Sequence, residues 1–306
     1  GPDPFSGLPS SASPCPFCPG AEAELERTLA RLPETGPCRI RVVANRYPAV
    51  RGTAKPEALT EGATAATGRQ EIVIESPEHD ADFATYGREH AADVLRMLRD
   101  RFAVFEHDPA IAEVSVFRNK GRRAGASQAH PHSQIIGTAM LGPESTLRFD
   151  RARTHYETHG ENLLEAVLRH ELERAERLIR EEHEFIAMTP FAPKEKAEAW
   201  IVPRSLRGSL SSLPDEALGP LASLLVDVVR RVLVVSGRSD YNLIFRTPPV
   251  AQREHPAAFW YIEVLPRGAG PAGYELTSGV PIVTVAPESA AAAMRLVASA
   301  IDGLDP

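Results

Sequence analysis

The spacing of apolar residues along the chain alternates between a period of two and a period near 3.6, and each period predicts a type of element. Residues 70–75 alternate polar and β-branched side chains, which is typical of a strand, and residues 85–105 have the apolar spacing of an amphipathic helix. The charged residues 147–182 keep a helical period, which predicts one long helix or two. Similar patterns predict strands at 38–44, 111–118, 135–140, 185–189, 198–203, 241–246, 259–265 and 280–285, and helices at 21–32, 214–235 and 287–300.

The predicted elements follow one order twice. Two strands, a helix and two strands occupy the first half of the chain, and the same order returns in the second half. This repetition indicates a duplicated unit, and we expect domains at residues 6–148 and 149–306. A Cys-x-x-Cys pair and a His-Pro-His run occur only in the first half, so the first domain is predicted to be catalytic and the second to complete the substrate side.

Composition and charge exclude several classes of protein. Of the 306 residues, 43% are hydrophobic and 25% are charged, as in globular domains. The net charge of -7 argues against binding nucleic acid through a broad basic face, but a nucleotide substrate stays open because a few residues set the field of a pocket. No apolar run is long enough to span a bilayer, so no membrane contact is expected. Three cysteines are too few for a disulfide framework, which favours a reducing, cytoplasmic location.

One segment, residues 119–134, concentrates the candidate chemistry. It begins with an amide, passes through a glycine-rich turn and ends in a His-Pro-His-Ser-Gln run. Side chains two positions apart share a face of a strand, so His130, His132 and Gln134 are expected to point the same way. Backbone N–H groups of a glycine-rich turn can bind phosphate oxygens, and an imidazole can attack phosphorus. The segment therefore predicts a site that handles phosphoesters.

A metal site is predicted beside this segment. Cys15 and Cys18 have the spacing of a zinc knuckle, in which two thiolates hold one ion from a tight turn. A structural zinc ion takes four ligands and the chain has no second Cys pair, so histidines would have to complete the site. His79, after a Ser-Pro-Glu turn, and His130 fit best. The alternative is two partly buried thiols and a loop histidine bonded to backbone.

His132 is the candidate nucleophile. A neutral imidazole can attack a phosphoanhydride and form a phosphoramidate that a second acceptor cleaves, so that one transfer becomes two steps. The alternative is that His132 is a further metal ligand or a core histidine. Gln134 favours transfer over hydrolysis, because an amide can hydrogen-bond phosphoryl oxygens but cannot give a proton to a leaving group.

The segment 119–134 resembles the active-site segment of galactose-1-phosphate uridylyltransferases, in the histidine-triad superfamily, and is similar to that of ADP-glucose and dinucleoside-polyphosphate phosphorylases. The resemblance implies an α+β fold of two histidine-triad-like units, each an antiparallel sheet with packed helices, and a homodimer with sites near the interface. Further stretches with the same resemblance are Cys-Pro-Phe-Cys at 15–18, Asn-Arg-Tyr-Pro-Ala at 45–49, Ser-Pro-Glu-His at 76–79, Trp-Tyr-Ile-Glu at 260–263 and Gly-Tyr-Glu at 273–275.

The resemblance also implies roles for particular residues. His132 would become nucleotidylated, and Gln134 would hydrogen-bond the phosphoryl oxygens. The implied ligands of one structural zinc ion are Cys15, Cys18, His79 and His130. The implied substrate contacts are Asn45 at the nucleoside, Asn119, Gly125 and Ser127 at the phosphates, and Glu275 at the sugar hydroxyls.

The activity that follows is the transfer of a nucleoside monophosphate between a nucleotide sugar and a sugar 1-phosphate, as in a hexose-1-phosphate uridylyltransferase. Two alternatives are kept. One is a phosphorylase of nucleotide sugars or dinucleoside polyphosphates that uses inorganic phosphate as the acceptor. The other is a sensor that binds nucleotides without turnover.

Three departures from the family pattern shape these expectations. Many members have a second metal site built from histidines, and this chain has Phe259, Tyr261 and Glu263 there, so we expect no second metal. Arg46 stands where uridylyltransferases often have Asp, which leaves the ribose contacts open. A glutamine that some transferases use near the sugar is replaced at about Pro281, so the sugar need not be galactose.

Overall fold

The computed structural model describes residues 15–21, 25–52, 58–60, 63–204, 208–268 and 270–298. The strands are β1 (Thr28–Leu32), β2 (Ile40–Ala44), β3 (Ala58–Thr60), β4 (Ala63–Thr64), β5 (Gly68–Ile74), β6 (Glu113–Lys120), β7 (His132–Thr138), β8 (Leu178–Glu182), β9 (Phe185–Met188), β10 (Ala199–Pro203), β11 (Tyr241–Arg246) and β12 (Tyr261–Pro266). The helices are α1 (Arg88–Glu106), α2 (Pro143–His159), α3 (Leu163–Arg174), α4 (Asp215–Ser236), α5 (Gly273–Ser278) and α6 (Pro287–Leu296).

Ten of these strands form one continuous antiparallel sheet in the order β1-β2-β5-β7-β6-β11-β12-β10-β9-β8, while β3 and β4 pair separately. Each half of the chain contributes five strands to this sheet. From the outer edge inward, the order is β1-β2-β5-β7-β6 in the first half and β8-β9-β10-β12-β11 in the second. In both halves the last two strands are therefore in reverse chain order. The two fourth strands, β6 and β11, pair with each other at the centre. In each half a long helix, α1 or α4, connects the third strand to the fourth. The predicted α+β fold of antiparallel strands and packed helices is thus confirmed, and the sheets predicted for the two units are joined into one.

One face of the sheet is covered by the two connecting helices. Alternate strand residues such as Val42, Val73 and Val116 point to this face and are buried against apolar side chains that include Leu98 of α1 and Leu225 of α4. These contacts form a core that crosses both halves, so the two units share one hydrophobic interior.

The opposite face differs between the halves. In the second half, Leu164 and Leu168 of α3 pack on this face against Ile186, Met188 and Tyr261. In the first half the corresponding face carries His132 and Gln134 beside apolar residues such as Ile72 and Ile74. The asymmetry leaves room for a site on the first half alone.

Most predicted elements are confirmed, and three are wrong. Residues 28–32, predicted as part of a helix, form β1, because pairing with β2 overrides the local preference; residues 22–24 lie outside the described part. Residues 178–182 leave the predicted helix and form the charged edge strand β8. Residues 280–285 form no strand and are largely exposed, since Pro281 removes a donor that a ladder would need.

The boundary predicted between residues 148 and 149 lies inside α2 and stays a prediction. Among the described residues, no helix has both the length and the apolar character that a bilayer crossing requires.

Candidate active site

The predicted metal ligands come together from three separate parts of the chain. One ligand atom from each of Cys15, Cys18, His79 and His130 lies within 4.8 Å of all the others. The two cysteines share a tight turn, closed by a hydrogen bond from the Cys18 N–H to the Cys15 carbonyl. The Cys18 Sγ lies 3.4 Å from His79 Nδ1 and 3.6 Å from His130 Nδ1. Two sulfur and two imidazole donors at these separations fit a tetrahedral zinc ion.

His130 is oriented for this role by the backbone. Its Nε2 lies 2.8 Å from the carbonyl oxygen of Ser76 and donates to it, which leaves Nδ1 with a free lone pair toward the cysteines. A histidine ligand whose other nitrogen is fixed in this way is typical of metal sites. Burial and the neighbouring Cys15 raise the pKa of the Cys18 thiol, so a thiolate pair here needs a cation beside it.

His132, the first residue of β7, is buried with 5% of its surface exposed. Its Nδ1 donates to the His130 carbonyl across 2.8 Å, so Nε2 carries the lone pair. Burial lowers the pKa of His132, against smaller opposing effects of that hydrogen bond and of Glu75. The imidazole is therefore neutral at pH 7, which is the state a nucleophile requires.

A pocket of about 300 Å³ opens at His132 on the face of the sheet that α1 and α4 leave free. Its lining includes Asn45, Ser127, His132 and Gln134. The structure therefore brings together four residues that were predicted from the sequence to contact the nucleoside or the phosphates or to take part in the reaction. The ring of Phe17, from the cysteine turn, lies edge-on to His132 with 5.3 Å between centroids. The metal cluster thereby forms part of the pocket wall.

Gln134 has a partner that the sequence analysis missed. Gln70, on the neighbouring strand β5, donates from Nε2 to Gln134 Oε1 across 2.7 Å, and its own Oε1 accepts the Ala49 N–H. This contact leaves the Gln134 Nε2 hydrogens as the donors available to phosphoryl oxygens. In the sequence, the only sign of this role is that Gln70 is a polar residue two positions before Ile72, so that both side chains lie on the same face of β5.

The glycine-rich turn folds as a short 3-10 segment between two glycines with positive φ. Gly121 has φ +82° and Gly125 has φ +87°, conformations that other residues adopt only with strain. A Cβ at Gly121 would lie 2.2 Å from the Asp240 side chain. Asn119 lines a different cavity from the His132 pocket, and its Oδ1 accepts from Asn242 of the second half.

A buried charge network lies beneath His132, on the core face of the sheet. Arg118 is 1% exposed and donates to Glu75 at 3.0 Å and to Asp82 at 2.5 Å. Ser133, next to His132, donates to the other oxygen of Glu75 at 2.6 Å, and Tyr241 of the second half donates to Asp82. The network joins the strand that begins at His132, the loop that contains His79 and the second half of the molecule.

Glu275 lies apart from this pocket within the chain. It is on the exposed helix α5, where its carboxylate accepts the N–H groups of Ala272 and Ile282, and its sugar contact stays a prediction. At the positions where the sequence analysis expects no second metal, Tyr261 packs on Trp200 with 4.4 Å between ring centroids and Glu263 accepts from Arg246 at 2.7 Å.

Comparison with known proteins shows which family the chain resembles. The family described as galactose-1-phosphate uridyl transferase, N-terminal domain, matches residues 9–141. ADP-glucose phosphorylase of Arabidopsis thaliana is 30% identical over 294 residues, which cover 93% of this chain and 82% of the relative. Galactose-1-phosphate uridylyltransferase of Streptomyces lividans is 27% identical over 82% of this chain and 64% of the relative.

Solved structures agree. A crystal structure of an ADP-glucose phosphorylase from Arabidopsis thaliana with bound ADP-glucose has a TM-score of 0.82 at 27% identity, covering 95% of this chain and 93% of that one. A uridylyltransferase structure has a TM-score of 0.79 at 26% identity and covers 96% of both chains. Fold and likeness together define a nucleotidyltransferase. The chain belongs to the galactose-1-phosphate uridylyltransferase family, which confirms the resemblance inferred from residues 119–134.

Proposed function

We propose that this enzyme moves a nucleoside monophosphate between a nucleotide sugar and a sugar 1-phosphate through a covalent nucleotidyl group on His132. One observation carries the proposal: the Nδ1 of His132 is held by the His130 carbonyl, while the ring lines a pocket with Asn45, Ser127 and Gln134. A neutral imidazole fixed in this tautomer presents only Nε2 to a substrate.

In the first half-reaction, Nε2 of His132 attacks the α-phosphorus of the nucleotide sugar. The N–P bond forms and the bond from phosphorus to the bridging oxygen breaks, so sugar 1-phosphate leaves with the electron pair and needs no proton. The Nδ1–H stays on the ring, and the His130 carbonyl stabilises the positive charge of the substituted imidazolium. Gln134 Nε2 and the turn around Ser127 bind the phosphoryl oxygens.

In the second half-reaction, a phosphate oxygen of another sugar 1-phosphate attacks the same phosphorus. The N–P bond breaks, its electron pair returns to Nε2, and a new nucleotide sugar leaves. Gln134 has no basic group with which to activate water, which favours transfer over hydrolysis.

Cys15, Cys18, His79 and His130 fit one structural zinc ion, supported by their mutual distances and by the tautomer of His130. The ion would supply rigidity, since four protein ligands fill its coordination positions. Because His130 also orients His132, the ligands hold the nucleophile in place. Metal analysis should find one zinc ion per chain, lost in Cys18→Ser and kept in Cys38→Ser, whose thiol donates to a backbone carbonyl instead; zinc retained in Cys18→Ser would contradict the ligand set.

The central test is isolation of the adduct. The enzyme is incubated with nucleotide sugars of uridine, adenosine and guanosine, each labelled at the α-phosphorus, and the denatured protein is examined for an acid-labile, base-stable label. We expect one base to label the protein. His132→Gln should abolish the label, whereas His170→Gln, exposed on α3, should keep it. Full turnover in His132→Gln would contradict the assignment of His132 as the nucleophile.

The runner-up is a phosphorylase in which inorganic phosphate takes the nucleotidyl group. Its support is that the ADP-glucose phosphorylase match extends over more of both chains than the Streptomyces lividans match. The two functions separate when the isolated adduct is offered each acceptor. Release of a nucleotide sugar with sugar 1-phosphate supports the transferase, and fast release of a nucleoside diphosphate with inorganic phosphate supports the phosphorylase. Label that neither acceptor removes would contradict both, and binding without any label would favour a sensor.

We further propose a homodimer. Four apolar side chains near α5 are highly exposed: Tyr274 at 60%, Leu276 at 72%, Val280 at 52% and Ile282 at 59%. An apolar patch of this kind is typical of an interface, and docking on a second copy would bring Glu275 to a surface between subunits. Sedimentation equilibrium should give twice the chain mass, and Leu276→Asp should give a monomer; a monomeric wild type would contradict this.

A further inference from the structure

The second half of the chain contacts the glycine-rich turn through Asn242 on β11 and Asp240 just before that strand. The Nδ2 of Asn242 donates to the Oδ1 of Asn119 across 2.8 Å and to the Ala124 carbonyl across 2.9 Å. The Asp240 carboxylate accepts the Arg123 N–H across 2.9 Å. Three hydrogen bonds thus connect the second half with the turn that is expected to bind phosphate oxygens.

These contacts fix which end of the Asn119 side chain faces the site. A backbone carbonyl only accepts hydrogen bonds, so the atom of Asn242 that faces Ala124 is its nitrogen. The same nitrogen faces Asn119, whose facing atom is therefore the amide oxygen. The Asn119 nitrogen lies near Gly125, where an added Cβ would be 3.7 Å from it. Within the described part of the chain its two hydrogens have no acceptor, so they stay available to a substrate.

Asn119 lies beside His132 on the side away from the nucleoside. In the register of β6 and β7, Arg118 pairs with Ser133 on the core face. The next pair along the same register, on the opposite face, is Asn119 with His132. Asn45 follows β2, which lies two strands away from β7 in the other direction. A donor on Asn119 is therefore placed for the leaving phosphate rather than for the nucleoside.

We propose that Asn242 is a positioning residue for nucleotidyl transfer, which holds the Asn119 amide so that its nitrogen donates to the leaving phosphate. The inference rests on the proposed function, because this phosphate is the leaving group of the first half-reaction. Its negative charge grows while the bond from phosphorus to the bridging oxygen breaks, so the hydrogen bond strengthens in the transition state. The half of the chain without the His-Pro-His run thus orients part of the phosphate site.

Asn162 provides a matched control, because it makes the same kind of contact elsewhere in the second half. Its Nδ2 also donates to two backbone carbonyls, those of Pro256 and Ala258. It caps α3 and lines neither the His132 pocket nor the cavity of Asn119. Loss of either asparagine removes hydrogen bonds that stabilise the fold, but only the loss of Asn242 releases the Asn119 amide.

Rapid-quench measurement of adduct formation tests the inference, with the α-labelled nucleotide sugar that labels wild type. We expect Asn242→Leu to lower the rate at saturating substrate roughly tenfold or more, as for the loss of one hydrogen bond to a charged group. The dissociation constant of the nucleotide sugar should change by less than about threefold, because the bond gains its strength in the transition state. Asn162→Leu should lose stability and keep the wild-type rate. Equal slowing in both variants would overturn the inference.

A double-mutant cycle separates positioning from a general structural role. In an Asn119→Ala background Asn242 has no amide to orient, so adding Asn242→Leu should slow adduct formation by less than about threefold. The same slowing in both backgrounds would contradict the inference. If Asn242→Leu does not fold, Asn242→Asp keeps the shape but only accepts, so it draws the Asn119 nitrogen toward itself and should slow adduct formation as well. An unchanged rate in that variant would equally count against positioning.

Failure of the proposed function has a different result. Wild-type protein that no nucleotide sugar labels would contradict nucleotidyl transfer, and this role of Asn242 would fall with it. A labelled wild type whose rate Asn242→Leu shares would contradict the positioning role alone.

Discussion

The Nδ1–H of His132 donates to the backbone carbonyl of His130 across 2.8 Å, so the proposed nucleophile and a proposed metal ligand are joined by one hydrogen bond. His130 in turn is held through Nε2 by the Ser76 carbonyl. The orientation of the His132 ring therefore depends on the backbone at His130, whose own side chain lies beside Cys18.

The buried network under His132 should dominate local stability. We expect Arg118→Met to lower the free energy of unfolding by about 3–5 kcal/mol, because it leaves Glu75 and Asp82 charged and unpaired in the core. Tyr241→Phe, which removes one hydroxyl from the same network, should cost only about 1 kcal/mol. Urea denaturation followed by circular dichroism measures both values. Similar costs for the two variants would show that Arg118 is not the centre of the network.

The two glycines of the phosphate turn should differ in their tolerance of alanine. At Gly125 a Cβ has space, with its nearest neighbour 3.7 Å away, so Gly125→Ala should cost about 1–2 kcal/mol of backbone strain alone. At Gly121 the Cβ would also displace Asp240, which accepts the Arg123 N–H. Gly121→Ala should therefore be the more destabilising variant and should also slow adduct formation. Thermal denaturation and the adduct rate test this order, and the reverse order would contradict it.

We expect Gln70 to affect the rate of adduct formation, because it fixes the orientation of the Gln134 amide. In Gln70→Met the Gln134 amide loses the contact that fixes which of its ends faces the phosphoryl group. We expect adduct formation to slow about tenfold, as for the loss of one hydrogen bond of roughly 1.4 kcal/mol in the transition state. Rapid-quench measurement at saturating substrate gives the rate. Gln252→Met, far from the pocket, is the control, and an unchanged rate in Gln70→Met would remove Gln70 from the site.

Two buried carboxylates in the second half should make stability depend on pH. Burial, and then the charge of Glu263, raise the pKa of Glu198 from 4.5 to about 7. Between these values the unfolded chain loses the proton that the folded chain keeps, so stability is full below about pH 4.5, falls as pH rises and levels off above about 7, a change of about 3 kcal/mol at most. Glu263→Gln removes the repulsion and should make the decline smaller. Denaturant titrations at pH 5 and pH 8 measure the difference, and an equal decline in both proteins would refute the coupling.

The chemistry of the site was more predictable than its surroundings. The spacing of His132 and Gln134 on a strand face is local information, and both side chains line one pocket, whereas His130 precedes β7 and lies between Cys18 and the Ser76 carbonyl. The role of Gln70 was invisible, because it depends on the register between β5 and β7. Register depends on pairing between distant segments, and it could not be predicted from this single sequence.

The same limit explains the errors in the fold. Residues 28–32 have acceptable helix formers, and only the partner strand β2 makes them extended. The network of Arg118, Asp82 and Tyr241 joins residues up to 159 positions apart, so no local sequence motif predicts it. The second-half residue Asn242, which holds Asn119, was missed for that reason too.

The pairing of β6 with β11 has a consequence for how such a protein can be divided. A fragment that ended before β11 would leave the eight residues of β6 as a bare edge, with unpaired N–H and C=O groups open to any other strand. It would also remove Tyr241 from Arg118, and a fragment that ended before α4 would in addition uncover the core that α4 shares with α1. The second half of the sheet therefore covers, through β11, an edge of the first half that would otherwise be open to aggregation.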